Sequence, residues 1–333
     1  MPTITTLIPA YKKEYLGETL LGLARQTFRD FRVILSDDSP GDEITQLIQS
    51  GHYGDLARSL NLQVVRGPKN ARLNHQSLMD RWANSSPYVH LMLDDDVVFP
   101  DFYRSHMAAH QTGRFSVSVS RRWVTHADTR PVMGINQPAA VAHSPLLYVP
   151  VDAHTLFQTM VPTCNNWIGE FSHMVMSAEG ARAYPRPPVD DLSYYGWLDV
   201  GFVLTAVQEA PLVIVRDHLG IFRQHAAQTT HNLRTSIGRV SSMAWVTSAL
   251  LAWREGRISH ADVATAIKWN VRQCLDRFGE DDPVINEFFD MIQTHGANLE
   301  HLYIAYKPFW LRVLASHPAT APAAAAAPEH ALA

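Results

Sequence analysis

The chain has 333 residues, of which 46% are hydrophobic and 18% charged, and its 28 Lys and Arg are opposed by 32 Asp and Glu. This balance allows a large buried core, and the net charge of −4 argues against nucleic-acid binding through charge alone. Two cysteines are too few for a disulfide framework or a cysteine-based zinc site. We see neither a signal-peptide pattern nor an apolar run of the roughly 20 residues that a membrane span needs, and expect a cytoplasmic protein.

Short apolar runs alternate with helical patterns through the first third of the chain. The runs that predict strands are TITTLIP, FRVILS, LQVVRG, YVHLML and FSVSVS. Amphipathic helices are predicted between them, the first with Leu16, Leu20 and Leu23 on one face and the second with Asp42 as its N-cap. This alternation is typical of an α/β fold with a largely parallel sheet.

Periodicity fails between about residues 125 and 164, where five prolines interrupt the pattern. An irregular segment of this length is usually functional. Beyond it, FSHMVMS predicts a strand, SAEGARAY and LDVGFVLTAVQEA predict helices, and PLVIVRDHLGIFRQH contains a last strand. We therefore expect a first domain over residues 1–230, a helical region over 231–317 with a capping box at Ser259, and a disordered Ala/Pro tail over 318–333.

Two groups of carboxylates directly follow predicted strands. Asp37 and Asp38 follow FRVILS, and Asp94, Asp95 and Asp96 follow YVHLML. The carboxyl ends of parallel strands lie at one edge of a sheet, where ligands bind. Adjacent carboxylates repel each other, and Mg²⁺ or Mn²⁺ among them relieves that repulsion. Solvated acidic turns and helix caps are the alternative reading of both groups.

The opening segment TLIPAYKKEYLGETLLGLARQTFRDFRVILSDDSP resembles the start of family 2 glycosyltransferases of the GT-A fold. It has a strand ending in Pro-x-Tyr, a helix closing on a Gln-Thr-x-x-aromatic turn, and a strand ending in Asp-Asp. GPKNARLN and YVHLMLDDDVVFP match the family's Ala-Arg-Asn stretch and Asp-x-Asp strand end. The resemblance implies a Rossmann-like, mostly parallel sheet flanked by helices, with a nucleotide-sugar half at 1–115 and an acceptor half at 116–230.

The same resemblance implies a donor site at the strand ends. Asp96 would ligate a divalent metal, Mn²⁺ or Mg²⁺, that bridges the donor's diphosphate. In the segment IFRQH, His225 would complete the metal sphere, with Arg223 nearby as a positive partner for the leaving group. The expected donor-binding residues are Pro9, Tyr11, Glu14, Asp37, Asp38, Arg72, Asn74, Asp94 and Asp95.

The segment SYYGWLDVGFVLTA resembles the part of the family in which an aromatic-rich loop delivers an acidic residue to the start of a helix. Asp199 is the candidate general base, which would take the proton of the acceptor hydroxyl. Asp190 and Asp191 compete for this role, and a purely helix-stabilising Asp199 is a further alternative. For acceptor binding we single out four aromatic residues, whose alternative role is core packing: Trp167, Tyr194, Tyr195 and Trp197.

The resemblance thus predicts a metal-dependent, inverting glycosyltransferase of the hexosyltransferase type. Its donor would be a UDP, GDP or dTDP sugar, and its acceptor a hydroxyl of a glycan, a lipid-linked sugar or a protein, as in polysaccharide biosynthesis. The alternatives are a catalytically silent glycan-binding or scaffold protein of the same fold and, ranked lower, a nucleotidyltransferase. In the last helical segment, HLYIAYKPFWLRVLAS would contact the inner face of a membrane, form a homodimer or, as we favour, pack within the chain.

Overall fold

The computed structural model describes residues 1–133, 135–225, 235–279 and 282–316. Within these ranges the strands are β1 (Ile4–Ala10), β2 (Phe31–Asp37), β3 (Gln63–Arg66), β4 (Tyr88–Leu91), β5 (Val97–Val98), β6 (Val117–Thr125), β7 (Pro131–Met133), β8 (Tyr148–Val151), β9 (Met174–Ser177) and β10 (Leu212–Arg223).

The helices of the described residues include four long ones after the last strand. The helices are α1 (Leu16–Ala24), α2 (Glu43–Gln49), α3 (Gly54–Ser59), α4 (Ala71–Trp82), α5 (Phe102–Gln111), α6 (Ala139–Ala142), α7 (Ala153–Met160), α8 (Ala178–Ala181), α9 (Leu198–Glu209), α10 (Ser236–Arg254), α11 (His260–Phe278), α12 (Pro283–His295) and α13 (Leu299–Ala315).

All the strands belong to one sheet, in the order β3-β2-β1-β4-β9-β6-β10-β5, with β7 beside β6 and β8 beside β10. The first four strands of this order are parallel to one another. β9 runs antiparallel to both of its neighbours and joins this half to the parallel pair of β6 and β10. The predicted α/β class, a mostly parallel sheet with helices and then a helical region, is confirmed.

The core lies on both faces of the sheet because successive side chains of a strand point to opposite sides. In β1, Ile4 and Ile8 pack into one hydrophobic cluster with α1 and α5, whereas Leu7 belongs to the other. This second cluster also contains Trp245 of α10 and Trp310 of α13. The C-terminal helices therefore share one continuous core with the sheet.

The proline-rich segment contains more regular structure than its pattern predicts. β8 forms there despite Pro150, because it pairs only with β10 and lies at an edge, where a missing backbone donor is tolerated. The strand predicted over FSHMVMS is partly wrong, since Phe171–His173 forms a short 3-10 turn and the strand begins at Met174.

The two predicted helix starts differ in outcome. Ser259 and Asp262 form the expected capping box of α11. Asp42 precedes α2, but it has a left-handed backbone and its side chain makes no capping hydrogen bond. Its carboxylate instead forms an ion pair with Lys69 at 2.7 Å. The domain boundary at residue 230 and the tail over 318–333 lie outside the described residues.

Candidate active site

The carboxylates at the end of β2 are held by their own loops. Asp37 is buried and accepts hydrogen bonds from the backbone N–H and the hydroxyl of both Ser39 and Thr45, at 2.5 to 2.9 Å. Burial acts to raise the pKa of Asp37, but these donors outweigh it and lower the pKa. Asp38 accepts the backbone N–H of Lys69, and its pKa is raised by burial.

Asp94 joins the ends of β1 and β4. Its Oδ2 accepts the backbone N–H groups of Tyr11 and Lys12, both at 2.6 Å. Burial and the neighbouring Asp95 raise the pKa of Asp94 to about 6. The Tyr11 ring is 58% exposed, so it is free to meet a ligand at this edge.

Asp95 lies between two basic side chains. Its Oδ2 forms an ion pair with Lys12 Nζ and a 2.9 Å hydrogen bond with His225 Nε2. Burial favours the neutral carboxyl, but the charge of Lys12 and the bond to His225 lower the pKa of Asp95 overall. The His225 ring also packs against Tyr15, with the ring centroids 4.8 Å apart.

Asp96 is the most buried acidic residue of this group, and the Ser172 hydroxyl lies near its carboxyl. Its Oδ1 accepts the backbone N–H of Arg223 at 3.1 Å, whereas its Oδ2 is buried without a hydrogen-bond partner in the part of the chain that the structure describes. Burial and the charge of Asp95 raise the pKa of Asp96 well above its usual value. A buried carboxylate oxygen in this state is costly unless a proton or a cation neutralises it.

This uncommitted oxygen fits a divalent cation. Over the described residues there is no group of three or more His, Cys, Asp or Glu side chains that could hold a metal by itself. A cation that also takes phosphate oxygens and waters needs only one or two protein carboxylates, as Mg²⁺ commonly does. Asp96, and His225 with its hydrogen bond to Asp95, stay the predicted metal ligands.

Arg223 fixes the backbone of this acidic group. Its side chain is 1% exposed, with Nε donating to the Asp95 carbonyl at 2.9 Å and Nη1 to the Ala127 carbonyl at 2.6 Å. Nη2 forms an ion pair with Glu18 of α1, and the guanidinium lies 4.5 Å from the Tyr15 ring centre. The end of β10 is thereby tied to α1 and to the strand end that carries Asp96.

The other expected donor-binding residues are exposed, buried, or in contact with the loop before α9. Glu14 is exposed, and Pro9 is buried within β1. Asn74 is buried beneath the Asp37 loop, where its Nδ2 lies 3.5 Å from the Ser36 carbonyl. Arg72 reaches the loop before α9, where it donates to the Gly196 carbonyl at 2.9 Å and lies 4.7 Å over the Tyr195 ring.

Asp199 lies in the first turn of α9. Its Oδ1 accepts the backbone N–H of Val200 at 2.9 Å, and its Oδ2 lies 3.4 Å from the Asn166 amide nitrogen. Burial, with a smaller contribution from Glu170, raises the pKa of Asp199 to about 7. A carboxyl group with this pKa exchanges a proton readily near neutral pH.

Glu170 and Arg122 belong to this site, although the sequence patterns did not single them out. They form an ion pair at 2.6 Å, and Arg122 also donates to the Ile168 carbonyl at 2.8 Å. Gly169 has φ +104°, a conformation that strains other residues, and a Cβ there would lie 1.8 Å from the Arg122 guanidinium, so any side chain would have to displace Arg122. The negative charge of Glu170 raises the pKa of both Asp96 and Asp199, which places it near both carboxyls.

The competing acids are attached to a different part of the molecule. Asp191 accepts the Tyr303 hydroxyl at 2.7 Å and forms an ion pair with Lys307 at 3.4 Å, so it anchors α13. The Tyr303 hydrogen bond is the main reason that the pKa of Asp191 is lowered. Asp190 is exposed. Asp199 therefore stays the predicted base.

Most of the aromatic residues expected at the acceptor site lie in the core. Trp167, Tyr194 and Tyr195 are 1%, 8% and 3% exposed. Trp197 is half-buried and packs edge-on against Trp245, with 5.6 Å between ring centroids. These contacts are what the packing alternative expects, and a role in acceptor binding stays a prediction.

The last helix also packs within the chain. Tyr306 and Trp310 of α13 are fully buried and stacked, while Ile304 is 67% exposed. Over the ranges that the structure describes, no helix is both long and apolar enough to cross a membrane. Membrane contact and dimer formation through these helices stay predictions.

Comparison with known proteins identifies the family and the fold of the chain. The family model described as Glycosyl transferase family 2 matches residues 5–173, and no curated protein matches the chain significantly. Among solved structures, S. aureus TarS 1-349 in complex with UDP-GlcNAc is 14% identical with a TM-score of 0.55, over 94% of this chain and 79% of that one. TarS 1-349 alone is 13% identical with a TM-score of 0.54, and the match covers 82% of this chain and 73% of that one. These likenesses support the GT-A fold. The family model covers half of the chain, so the chain belongs to glycosyl transferase family 2 and is a glycosyltransferase.

Proposed function

We propose that the protein transfers a sugar, with inversion, from a nucleotide-diphosphate sugar to a hydroxyl group of a glycan, a lipid-linked sugar or a protein. The observation that carries this proposal is the half-buried Asp199 carboxyl in the first turn of α9, whose pKa of about 7 suits a general base. The family match favours this activity over a silent glycan-binding protein or a nucleotidyltransferase.

The donor would bind at the carboxyl ends of β1, β2 and β4. Tyr11 offers an exposed ring there, and the loops ordered by Asp37 and Asp38 form the adjoining wall. The related TarS structure contains UDP-GlcNAc, which supports a nucleotide-sugar donor for this chain.

Asp96, with His225 beside it, would hold a Mn²⁺ or Mg²⁺ ion on the diphosphate. When bound, such an ion acts as a Lewis acid that stabilises the charge of the leaving nucleotide diphosphate. Lys12 lies close enough to pair with Asp95 and adds positive charge at the same edge. The unpartnered Oδ2 of Asp96 supports this assignment.

Asp199 would take the proton of the acceptor hydroxyl as its oxygen attacks the anomeric carbon. Inversion needs one carboxylate on the side opposite the leaving group, so a single placed Asp is sufficient. Asn166 lies 3.4 Å from Asp199 Oδ2 and would help to orient it, and Glu170 would keep its pKa high. Half-buried Trp197, two residues before Asp199, is the aromatic residue best placed to meet an acceptor.

The test starts with a thermal-shift screen of UDP, GDP, dTDP and CMP, each with and without Mn²⁺. The nucleotide that stabilises the protein then selects the sugar donors for turnover assays. Asp199→Asn should lower kcat by roughly a thousandfold while nucleotide binding is retained. Asp55→Asn is the matched control, since Asp55 is 94% exposed in its side chain. No nucleotide binding under any condition, or full activity of Asp199→Asn, would overturn the proposal.

A further inference from the structure

A cavity lies against the segment that carries Asn166 and Glu170. Its volume is about 250 Å³, and it is lined by Arg121 and Arg122 of β6, His218 of β10 and Trp167, with Asn136 and Gln137 on the side of the proline-rich segment. β10 has irregular register on both sides of His218, which pairs with Arg121. Bulges of this kind redirect side chains, and here they bring basic groups to one wall.

Positive charge accumulates around this cavity. Arg121 donates through Nε to Gln137 Oε1 at 2.7 Å, and burial together with the nearby Arg216 lowers the pKa of Arg121. Arg216 donates only to backbone carbonyls, those of Ser144 and Ala142. The partners of both side chains are thus neutral, and within the described ranges neither guanidinium has a carboxylate in an ion pair.

The nearby acids do not compensate these two arginines. Glu170 is paired with Arg122, and exposed Asp217 acts on His218. No carboxylate is among the residues that line the cavity. Like charges held together in a half-buried position are unfavourable unless an anion binds between them. Arg121, with Arg216 near it, therefore gives one wall of the cavity a positive charge that no lining carboxylate neutralises.

We propose that this cavity binds an anionic group, a phosphate or a carboxylate, carried by the acceptor, and this inference rests on the proposed function. Trp167 lines the cavity, and its sequence neighbour Asn166 lies 3.4 Å from Asp199 Oδ2, so one short segment borders both the cavity and the proposed base. None of the donor-binding strand ends contributes to its wall. Guanidinium groups bind phosphate and carboxylate through paired hydrogen bonds.

The size of the cavity fits one charged group and not a whole glycan. Pockets for drug-sized ligands have volumes of roughly 300 to 1,000 Å³, and this cavity is smaller. An anionic group seated near Arg121 would position a neighbouring hydroxyl toward Asp199. The acceptor would then be an acidic or phosphorylated glycan, and not a neutral one.

Titration calorimetry with inorganic phosphate tests this inference on the full chain at constant ionic strength. Phosphate should bind the unmodified protein, and Arg121→Gln should weaken that binding about tenfold, the effect of one charge-assisted hydrogen bond. Arg121→Lys keeps the charge and should keep most of the affinity. Arg58→Gln is the control, because the Arg58 side chain is 76% exposed and does not line the cavity.

The same titration is repeated with a saturating nucleoside diphosphate and Mn²⁺. Phosphate binding that persists supports a site separate from the donor, whereas its loss would place the anion at the diphosphate position and overturn the inference. Equal affinity of Arg121→Gln and the unmodified protein, or absence of phosphate binding, would also overturn it. Phosphate binding at Arg121 with no nucleotide binding in the thermal-shift screen would count against the proposed function alone.

Discussion

The two acidic strand ends look alike in the sequence and differ in the structure. At the end of β2, Asp37 is satisfied by four donors from its own loop. In the loop between β4 and β5, Asp96 keeps one buried oxygen without a partner among the described residues. The first carboxylate stabilises a loop, whereas the ionised form of the second is costly unless a proton or a cation neutralises it. Paired aspartates after a strand therefore indicate the edge of the sheet at which they lie. Whether each carboxylate stabilises a loop or stays available to a ligand depends on the hydrogen-bond donors around it.

The pKa shifts express the same difference. Donors to Asp37 lower its pKa against the effect of burial, so the ionised form stabilises the fold. Burial and Asp95 raise the pKa of Asp96, so the ionised form is unfavourable without a cation. Replacing the carboxyl of Asp37 by an amide should consequently lower stability, whereas the same replacement at Asp96 should lower activity.

The largest expected effect is that of Asp96→Asn on activity. The amide can still accept the Arg223 N–H, but it removes the charge that would hold a cation, and we expect kcat/KM to fall about a thousandfold. Thermal stability should stay equal or rise, because a costly buried carboxyl is replaced by a neutral group. Steady-state kinetics and a melting curve measure both. Activity within about tenfold of the unmodified enzyme would exclude an essential role for Asp96.

The next effect concerns the pH dependence of the base. With a pKa of about 7, Asp199 is mostly protonated at pH 6, so kcat should rise with pH through this range. Glu170→Gln removes a negative neighbour, lowers the pKa of Asp199 and should move the acid limb of the kcat profile to lower pH by about one unit. Glu179→Gln, which changes an acid paired with exposed Arg114, should leave the limb in place. A limb that does not move in Glu170→Gln would contradict the assignment.

The raised pKa of Asp199 also predicts how the stability of the protein depends on pH. Its pKa is raised in the folded protein, so the folded state binds a proton more tightly than the unfolded chain does, and this contribution is lost as the pH rises toward 7. Asp199→Asn should therefore stabilise the protein at pH 8 relative to the unmodified chain, and less so at pH 5. Urea unfolding at the two pH values measures the difference, and the opposite order would contradict the raised pKa.

Asp37→Asn should act on stability. The amide nitrogen would face donors that now point at a carboxylate oxygen, and we expect the free energy of unfolding to fall by about 2 kcal/mol. The pKa of Asp37 is lowered, so its stabilisation is present above the unfolded-state pKa of about 4 and is lost as the pH falls through the folded value. The loss in the variant should thus be full at pH 7 and smaller at pH 3. If Asp37→Asn and the unmodified protein unfold at the same urea concentration at pH 7, the charge of Asp37 does not stabilise the loop.

Asp38→Asn should have the smallest effect of the series. An amide oxygen can replace the carboxylate as acceptor of the Lys69 N–H, and burial already disfavours the charge, so we expect a stability change within about 1 kcal/mol. Urea unfolding beside Asp37→Asn provides the direct comparison. A loss as large as that of Asp37→Asn would mean that both carboxylates hold the loop equally.

Local patterns were enough to predict much of the fold. Apolar runs with helical segments between them predicted β1, β2, β3 and β4, because a buried parallel sheet needs continuous apolar strands joined by helices. The capping box at Ser259 was likewise readable from residues three apart. Prolines hid β8, because the sequence does not say which strand will lie at an edge.

The candidate site was predictable only in part. Asp94, Asp95, Asp96 and Asp199 were found from the family resemblance and their position at element ends. Glu170 was missed, although an acid following a glycine in an irregular segment was a signal that could have drawn attention to it. Its partner Arg122 had no such signal, since a basic residue within a strand usually faces solvent.

The sequence by itself determined the order of the elements, the family and the edge of the sheet at which the acidic residues gather. Only the tertiary structure decided which carboxylates are satisfied, because the donors to each one come from segments distant along the chain, such as Arg223 for Asp96 and Lys69 for Asp38. It also decided the pKa of Asp199 and the charge of the cavity beside Arg121, since burial and neighbouring charges exist only once these segments have packed together.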